Sequence, residues 1–221
     1  MKPFEAIENE LMDRRPGWWG RIAAAIPELA ALSGTKQPPE YHGEGDVAEH
    51  TRRSVEACSP GSDPDLLWAA LLHDIGKPSV TRDEDDRITA RGHHTIGAEM
   101  ADKILQDLGM SPERSERIVF AVKNHLFHLS WNLRAPEQAS PRHRRFIADP
   151  RFPLLLDLLR VDSIASEGNP RGMDAYNLYK TLFEKIVNRE QSKACLLYTS
   201  PSPRDQRPNR VCRLRRVKGG G

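Results

Sequence analysis

Apolar residues recur at helical spacing through most of the first 190 positions of the chain. The pattern predicts helices over 4–14, 18–32, 46–58, 64–74, 96–108, 113–127, 139–147, 152–166 and 173–190. Several carry start or stop signals. Asp46 can cap the third, and Asp63-Pro64 puts a cap before proline at the first turn of the fourth. Ser111-Pro112-Glu113 offers the same arrangement for the sixth, and Gly109 is a C-terminal stop for the fifth. The stretch Val80 to Ala90 differs. Its acidic run Asp83-Glu84-Asp85-Asp86 sits between short β-compatible ends and predicts a hairpin or loop. Those four charges have no apolar face to converge on, so they read as a solvated turn.

From about Cys195 the helical period stops. The segment CLLYTSPSPRDQRPNRVCRLRRVKGGG is rich in proline and arginine and ends in glycines. It reads as the translation of an adaptor or cloning sequence, foreign to the helical pattern before it. The expected organisation is a helical domain over 1–193 and a basic, non-native-looking or disordered tail over 194–221.

Composition narrows this picture. Hydrophobic content of 38% with 29% charged residues fits a globular chain, and 221 residues fit one domain with an appendage. No apolar run approaches the roughly 20 residues that span a bilayer. The N-terminus MKPFEAIENE lacks an apolar signal-peptide core. Only Cys58 precedes the tail, so a disulfide framework is excluded and a reducing cytoplasm is expected. Cys58 itself reads as a small buried hydrophobe. The formal charge is +2. Residues 194–221 hold seven basic side chains and one acidic, a net of +6, which leaves −4 on residues 1–193. The basicity of the whole chain is therefore no argument for a nucleic-acid partner.

The chemistry is concentrated. All eight histidines lie between His42 and His143. On helix 46–58, Val47, His50, Ser54 and Cys58 share a stripe, so His50 faces inward. The LLWAALL run of helix 64–74 ends in adjacent His73 and Asp74. Ile118, Ala121, Val122 and His125 share a face of helix 113–127, and Leu155, Leu158, Leu159 and Asp162 share one on helix 152–166. A single inward histidine is more often a hydrogen-bonded core residue than a ligand. A carboxylate on an apolar stripe is harder to explain, since without a partner its burial costs several kcal/mol. Imidazoles and carboxylates together suit a divalent metal ion, which can acidify water and polarise a phosphoryl oxygen.

The order His50-Thr51, His73-Asp74-Ile75-Gly76-Lys77-Pro78, His93, His125, Asp162 resembles the HD-domain metal-dependent phosphohydrolase superfamily. The surrounding text, QPPEYHGEGDVAEHT (37–51), LLHDIGKPSVTRDEDDRITARGHHTIGAEMA (71–101) and LLRVDSIASEGNP (158–170), is similar to the HD-containing C-terminal region of bacterial CCA-adding tRNA nucleotidyltransferases and poly(A)-polymerase relatives. The resemblance covers roughly residues 5–190 and implies an all-α HD-domain bundle with a short loop or hairpin after the HD motif. It assigns His50, His73, Asp74 and Asp162 to a primary metal, and His93 and His125 to a second metal or to phosphate. His93 is preferred to His94 because it heads an HxxxGA pattern ending in Gly97-Ala98. Lys77 would face a substrate phosphate; a solvated surface lysine is an equal alternative from spacing. Gly76 would permit the turn after the motif. His128 reads as a surface residue at a helix end, with a ligand role as the alternative, and His42 and His143 read as structural or surface residues.

The resemblance stops at one point. Nucleotidyltransferases of this family carry a catalytic head with a Gly-Ser pair and paired carboxylates, and these 221 residues contain no such segment. CCA polymerisation is therefore not supported by the resemblance. A stand-alone HD protein and a piece of a longer one both fit, although Met1 leads almost at once into the family-like region.

Arg142, Arg144 and Arg145, with Arg134 and Arg151, form a basic cluster against Glu137 and Asp149. It could guide a nucleotide or an RNA backbone, but a solvated face is the preferred reading, because the local sequence shows no interleaved aromatics for base stacking. Trp18-Trp19 reads as core packing. The expected function is metal-dependent hydrolysis of a phosphomonoester or phosphodiester on a phosphorylated small molecule, a nucleotide or an RNA end. Asp74, Lys77, His93 and His125 are the catalytic candidates, and the ion is Mg, Mn, Ni, Co, Fe or Zn. Nucleic acid is permitted as a partner without being required. The alternative is a non-catalytic RNA- or partner-binding helical module derived from a nucleotidyltransferase body.

Overall fold

The computed structural model describes residues 2–84, 87–131, 133–167, 169 and 171–199, with side chains as far as residue 188 except that of residue 84. Asp85, Asp86 and the basic tail beyond Thr199 lie outside the described residues. The order is α1 (Pro3–Asp13), α2 (Trp18–Ala25), a 3-10 turn (Pro27–Leu32), α3 (Val47–Glu56), α4 (Pro64–Leu72), α5 (Lys77–Val80), β1 (Arg82–Glu84), β2 (Arg87–Thr89), α6 (His93–Asp107), α7 (Pro112–Asn124), α8 (Phe127–Trp131), a 3-10 turn (Pro136–Gln138), α9 (Pro141–Ile147), α10 (Phe152–Ala165) and α11 (Arg171–Thr199). The fold is all-α apart from the β1–β2 hairpin, where Arg82 pairs with Thr89 and Glu84 with Arg87.

Two helices carry the core. Every residue of α4 from Asp65 to Leu72 is buried, and α4 packs against α1, α3, α7 and α10. A helix that is apolar all round belongs in the interior. Its N-terminus is capped as expected, with the Asp63 carboxylate accepting from the Asp65 N–H. The buried Asp65 carboxylate takes Arg114 and Arg117 from α7, at 2.7 and 2.6 Å, which fixes α7 along α4. Helix α10 is the second central element. Leu154, Leu158 and Val161 enter the larger apolar cluster around Trp68 and Leu71. Leu155, Leu156 and Leu159 enter a second cluster with Phe127, Phe152 and Tyr179. Trp18 and Cys58 are buried in the first cluster, as the sequence predicts. Burial also raises the Cys58 thiol to about 11, so it stays protonated and inert.

Several boundaries differ from the sequence pattern. Helix 18–32 breaks at Pro27, which has no N–H to continue the ladder, and the chain goes on as a 3-10 turn. Helix 113–127 ends at Asn124, and a separate short helix α8 follows. Helix α11 runs on to Thr199, past the change of character near Cys195. Extending an existing helix needs only one more bond per residue, and Ala194, Leu196 and Leu197 are good formers. Gly109 ends α6 as predicted. It lies at φ +80°, its N–H bonds Gln106 and the Met110 N–H bonds Leu105, which together make a Schellman closure. Ser111 stands at the α7 N-cap, but its hydroxyl does not bond the helix backbone; it hydrogen-bonds the Glu113 carboxylate instead.

Gly76 also has a different role from the expected one. Its backbone is ordinary right-handed helix, φ −83° and ψ −11°. What requires glycine is proximity: a Cβ there would meet the His93 carbonyl at 2.4 Å and the Gly97 N at 2.6 Å. The turn after His73-Asp74 is thus pressed onto the first turn of α6. Both contacts are backbone, which cannot swing away. Gly76→Ala is expected to cost about 3 kcal/mol, the upper end for overpacking, and to displace His93. The checks are the urea midpoint and metal binding of the variant; a midpoint equal to wild type would show that the two segments part easily.

Candidate metal centre

His50, His73, Asp74, His93 and His125 are all nearly fully buried, and they meet at the end of α4. His50 comes from α3, whose start is set by Asp46: one carboxylate oxygen caps the Glu49 N–H at 2.9 Å and the other holds the Gly34 N–H at 2.7 Å. His73 and Asp74 follow the last turn of α4. His93 opens α6 directly after Gly92, which lies at φ +80°. That start is three residues earlier than the sequence pattern indicated, and it fixes the ring within the first helical turn. His125 caps the C-terminus of α7. Asp162, on α10, keeps 18% of its side chain exposed and forms the solvent side of the cluster.

Each ring is tied by its Nδ1. His73 Nδ1 bonds the Ala70 carbonyl at 2.9 Å, His93 that of Ala90 at 2.6 Å, and His125 that of Val122 at 2.7 Å. His50 Nδ1 bonds the Glu44 carboxylate at 2.7 Å. Carbonyl and carboxylate oxygens only accept, so every Nδ1 is the donor and a neutral ring presents a bare Nε2. The Nε2 atoms of His50 and His73 stand 3.2 Å apart, and those of His93 and His125 3.1 Å. The Asp74 carboxylate lies between the two pairs. Its Oδ2 is 3.2 Å from His73 and 3.8 Å from His50, and its Oδ1 is 3.3 Å from His93 and 3.7 Å from His125. Asp162 Oδ1 closes the first group at 3.0 Å from His50. Lone pairs aimed at lone pairs and carboxylates need a proton or a cation between them.

The protein alone meets part of this need with protons. Burial disfavours a charged His50, but hydrogen bonds to Asp162 and Glu44 outweigh it and raise its pKa to about 9. Burial pulls His125 down to about 3 despite Asp74 nearby, so its Nε2 stays bare. Burial opposes ionisation of Asp74, yet the charges of His73 and Lys77 hold it well below the usual carboxylate range. Asp162 is likewise held low by His50 against its burial. A divalent ion satisfies the same lone pairs. Ligands at about 2.1 Å from one ion stand roughly 3.0–3.4 Å from each other, close to the contacts seen here. Two groups, His50–His73–Asp74 and Asp74–His93–His125, each bring their donor atoms within 4.8 Å. The donor set therefore fits one or two divalent ions.

Other predicted residues fall differently. Lys77 is neither on the surface nor free: it is 9% exposed. Its Nζ is 2.6 Å from Asp74 Oδ2 and donates to Gln37 Oε1 at 2.6 Å. Gly76 and the α5 turn fold this side chain back under the motif, which spacing alone does not show. His94 is not among the residues whose donor atoms group around Asp74. His128, expected on the surface, is half-buried, and its enclosed Nδ1 has no hydrogen-bond partner among the described residues; burial lowers its pKa. His143 is structural. It closes a capping box with Ser140 and stacks on Trp131 at 4.4 Å.

Glu44 and Gln37 were missed. Glu44 lies in a loop between two glycines, where no periodicity marks it. Its Oε1 accepts from His42 at 2.8 Å and His50 at 2.7 Å, and its Oε2 accepts from the Glu167 N–H at 2.8 Å. It thereby joins α3 to the segment just after α10, where Asp162 sits. Burial works against its charge, and the His42 and His50 hydrogen bonds hold it well below its normal range. The only available signal was its place between His42 and Asp46 in a segment already rich in site residues. Gln37 Nε2 is buried with no partner among the described residues.

Residues 46–157 match the sequence profile of the HD domain. The chain is 33% identical to an A-adding tRNA nucleotidyltransferase of Deinococcus radiodurans over 176 residues, 76% of this chain and 38% of the relative. It is 31% identical to a CC-adding tRNA nucleotidyltransferase of Thermus thermophilus over 177 residues, 77% of this chain and 38% of that protein. A multifunctional CCA protein of Alkalilimnicola ehrlichii is 32% identical over 118 residues, 52% and 28% of the two chains. The chain spans less than two fifths of the length of each of these relatives.

The Glu44 contacts generate a test. Glu44→Gln turns one acceptor into a donor that faces either an imidazole N–H or the Glu167 N–H. Mn²⁺ or Co²⁺ affinity, read by calorimetry, is expected to fall about 10- to 100-fold, as for other partners of metal-bound histidines. Unchanged affinity would mean that His50 is held by its helix alone.

Proposed function

The chain belongs to the HD domain family, and from that premise we propose that it is a metal-dependent phosphohydrolase acting on a phosphomonoester or phosphodiester of a nucleotide or RNA end. The observation that supports this most directly is the Asp74 carboxylate set between two facing pairs of imidazole Nε2 atoms. His50, His73, Asp74 and Asp162 would hold the first ion, and Asp74, His93 and His125 a second. A divalent ion in such a site supplies Lewis acidity, acidifying water and polarising a phosphoryl oxygen.

The protein's own part is positioning and charge. Four Nδ1 anchors aim four Nε2 atoms at one small volume, so little reorganisation is needed when substrate arrives. His125 stays neutral because it is buried, and it presents an acceptor at any working pH. Lys77 places its Nζ against Asp74 Oδ2. In this reading it offsets the carboxylates, and it lies close enough to the cluster to lower the cost of bringing in a phosphate anion. Asp162 is the most exposed of the ligand candidates and marks the side on which water and substrate enter. The relatives named A-adding and CC-adding tRNA nucleotidyltransferases act at RNA ends, which supports a nucleotide or RNA end as the substrate class. Among the described residues no helix is long and apolar enough to cross a membrane.

Turnover of nucleoside 2′,3′-cyclic phosphates and of nucleotide monoesters, measured with Mn²⁺, Ni²⁺, Co²⁺, Mg²⁺, Fe²⁺ and Zn²⁺, tests the reading. Activity should vanish with a chelator and drop at least about 100-fold in Asp74→Ala, with metal content falling in parallel. A folded wild-type protein that binds none of these ions, or binds RNA and turns over nothing, would leave the non-catalytic module as the better account.

A further inference from the structure

A groove of about 550 Å³ flanks the histidine cluster, lined in part by His94, Lys123, Phe127, Trp131, Arg142 and Phe146. Two of its walls continue directly from site residues. His94 follows His93, their rings 6.0 Å apart, and Asn124, also in the lining, precedes His125. The floor is aromatic: Trp131 meets Phe146 at 5.1 Å and Phe127 at 5.2 Å. Leu129, at the edge, is 67% exposed. Lys123 and Arg142 are exposed on the rim. Neither makes an ion pair among the described residues, whereas Arg114, Arg117 and Arg151 are all paired with carboxylates.

An aromatic floor and unpaired cations are complementary to a ligand that is flat and apolar at one end and anionic at the other. A bare phosphate has no use for the floor, and an apolar peptide has none for the cations. We infer that this groove is the subsite for the nucleoside part of the substrate, with its phosphate directed toward Asp74. The inference rests on the phosphohydrolase reading for its orientation, but the groove's chemistry stands apart from it. Lys123 and Arg142 meet the sugar–phosphate edge, and the base lies against the Phe127–Phe146–Trp131 floor. The basic cluster of the sequence thus divides by role. Arg151 is tied to Asp149 and covers Phe120 at 4.2 Å, Arg144 bonds the Ala139 carbonyl, and Arg142 faces the groove.

Equilibrium binding of AMP, an adenosine-ended tetranucleotide and inorganic phosphate to the full chain tests this, with Mn²⁺ and with chelator. Because Trp131 also packs in the second core cluster, the variants are at exposed positions: Lys123→Ala, Arg142→Ala and Leu129→Asp. Each should weaken AMP about fivefold, as expected for loss or insertion of one exposed charge, and weaken inorganic phosphate, which cannot use the aromatic floor, by less, while Mn²⁺ affinity stays at the wild-type value. A tetranucleotide that loses more than AMP in these variants assigns the groove to an RNA end; equal losses assign it to the free nucleotide. Wild-type affinity for AMP in all three variants, equal weakening of AMP and phosphate, or no nucleotide binding by the wild type at millimolar concentration would each overturn the subsite. AMP binding that responds to the variants in a protein that hydrolyses no phosphoester would keep the subsite and reject the phosphohydrolase.

Discussion

The arrangement turns on electrostatic repulsion that the fold maintains. Four imidazole nitrogens and two carboxylates are held within a few ångströms of one another in a nearly dry interior. Such a grouping is unfavourable unless positive charge lies among its members. Lys77 supplies one charge and a protonated His50 another. What keeps the groups together is the apolar packing of α4 and α10 around them and the close backbone contact at Gly76. Each Nδ1 anchor converts helix geometry into an aimed lone pair. The acceptors for His73, His93 and His125 are backbone carbonyls three residues earlier, so those rings are as rigid as their local turns.

His50 is the exception, and its support explains the loop before it. Its Nδ1 has a side-chain acceptor, Glu44, that depends on tertiary structure. Glu44 also receives His42 and the Glu167 N–H, and the Gly43 N–H bonds the Glu167 carbonyl at 2.8 Å. A Cβ at Gly43 would sit 3.3 Å from that carbonyl, so the small residue allows the approach. This clamp joins α3, which carries His50, to the end of α10, which carries Asp162. The first group of donors is therefore assembled from separate parts of the chain by one carboxylate, whereas the second sets the start of α6 and the end of α7 against Asp74.

The outcome shows which features a sequence displays. The helices, the Asp46 and Asp63 caps, and the inward His50 and His125 follow from local periodicity and capping, so they could be read directly. Gly76 could be singled out but not explained, because its constraint is a distance to another helix and not a backbone angle. Lys77 was open between surface and site, since the turn that buries it is too short to carry a period. Glu44 gave no periodic signal because it belongs to a loop. The groove was hidden for a related reason. Phe146 stands one helical turn from Arg142, but Trp131 and Phe127 reach it only because the chain breaks after Asn124 and folds α8 alongside α9.

Charge distribution bears on how such a site could capture an anion. The first 193 residues carry a net −4, and the site adds its own carboxylates. Long-range attraction cannot bring a phosphate to it, and beyond about 8–10 Å salt would screen it in any case. Affinity has to arise at contact, from metal charge, from Lys77 behind Asp74, and from cations not already consumed by pairing. Several arginines of the helical body are used structurally: Arg52 and Arg53 on Glu49, Arg114 and Arg117 on Asp65, Arg151 on Asp149. Lys123 and Arg142 differ in facing an aromatic groove next to the histidine cluster. A protein that recognised only phosphate would have no reason to put its spare cations there. One that must hold a nucleoside while its phosphate reaches Asp74 would need them on that rim, at that side of the site.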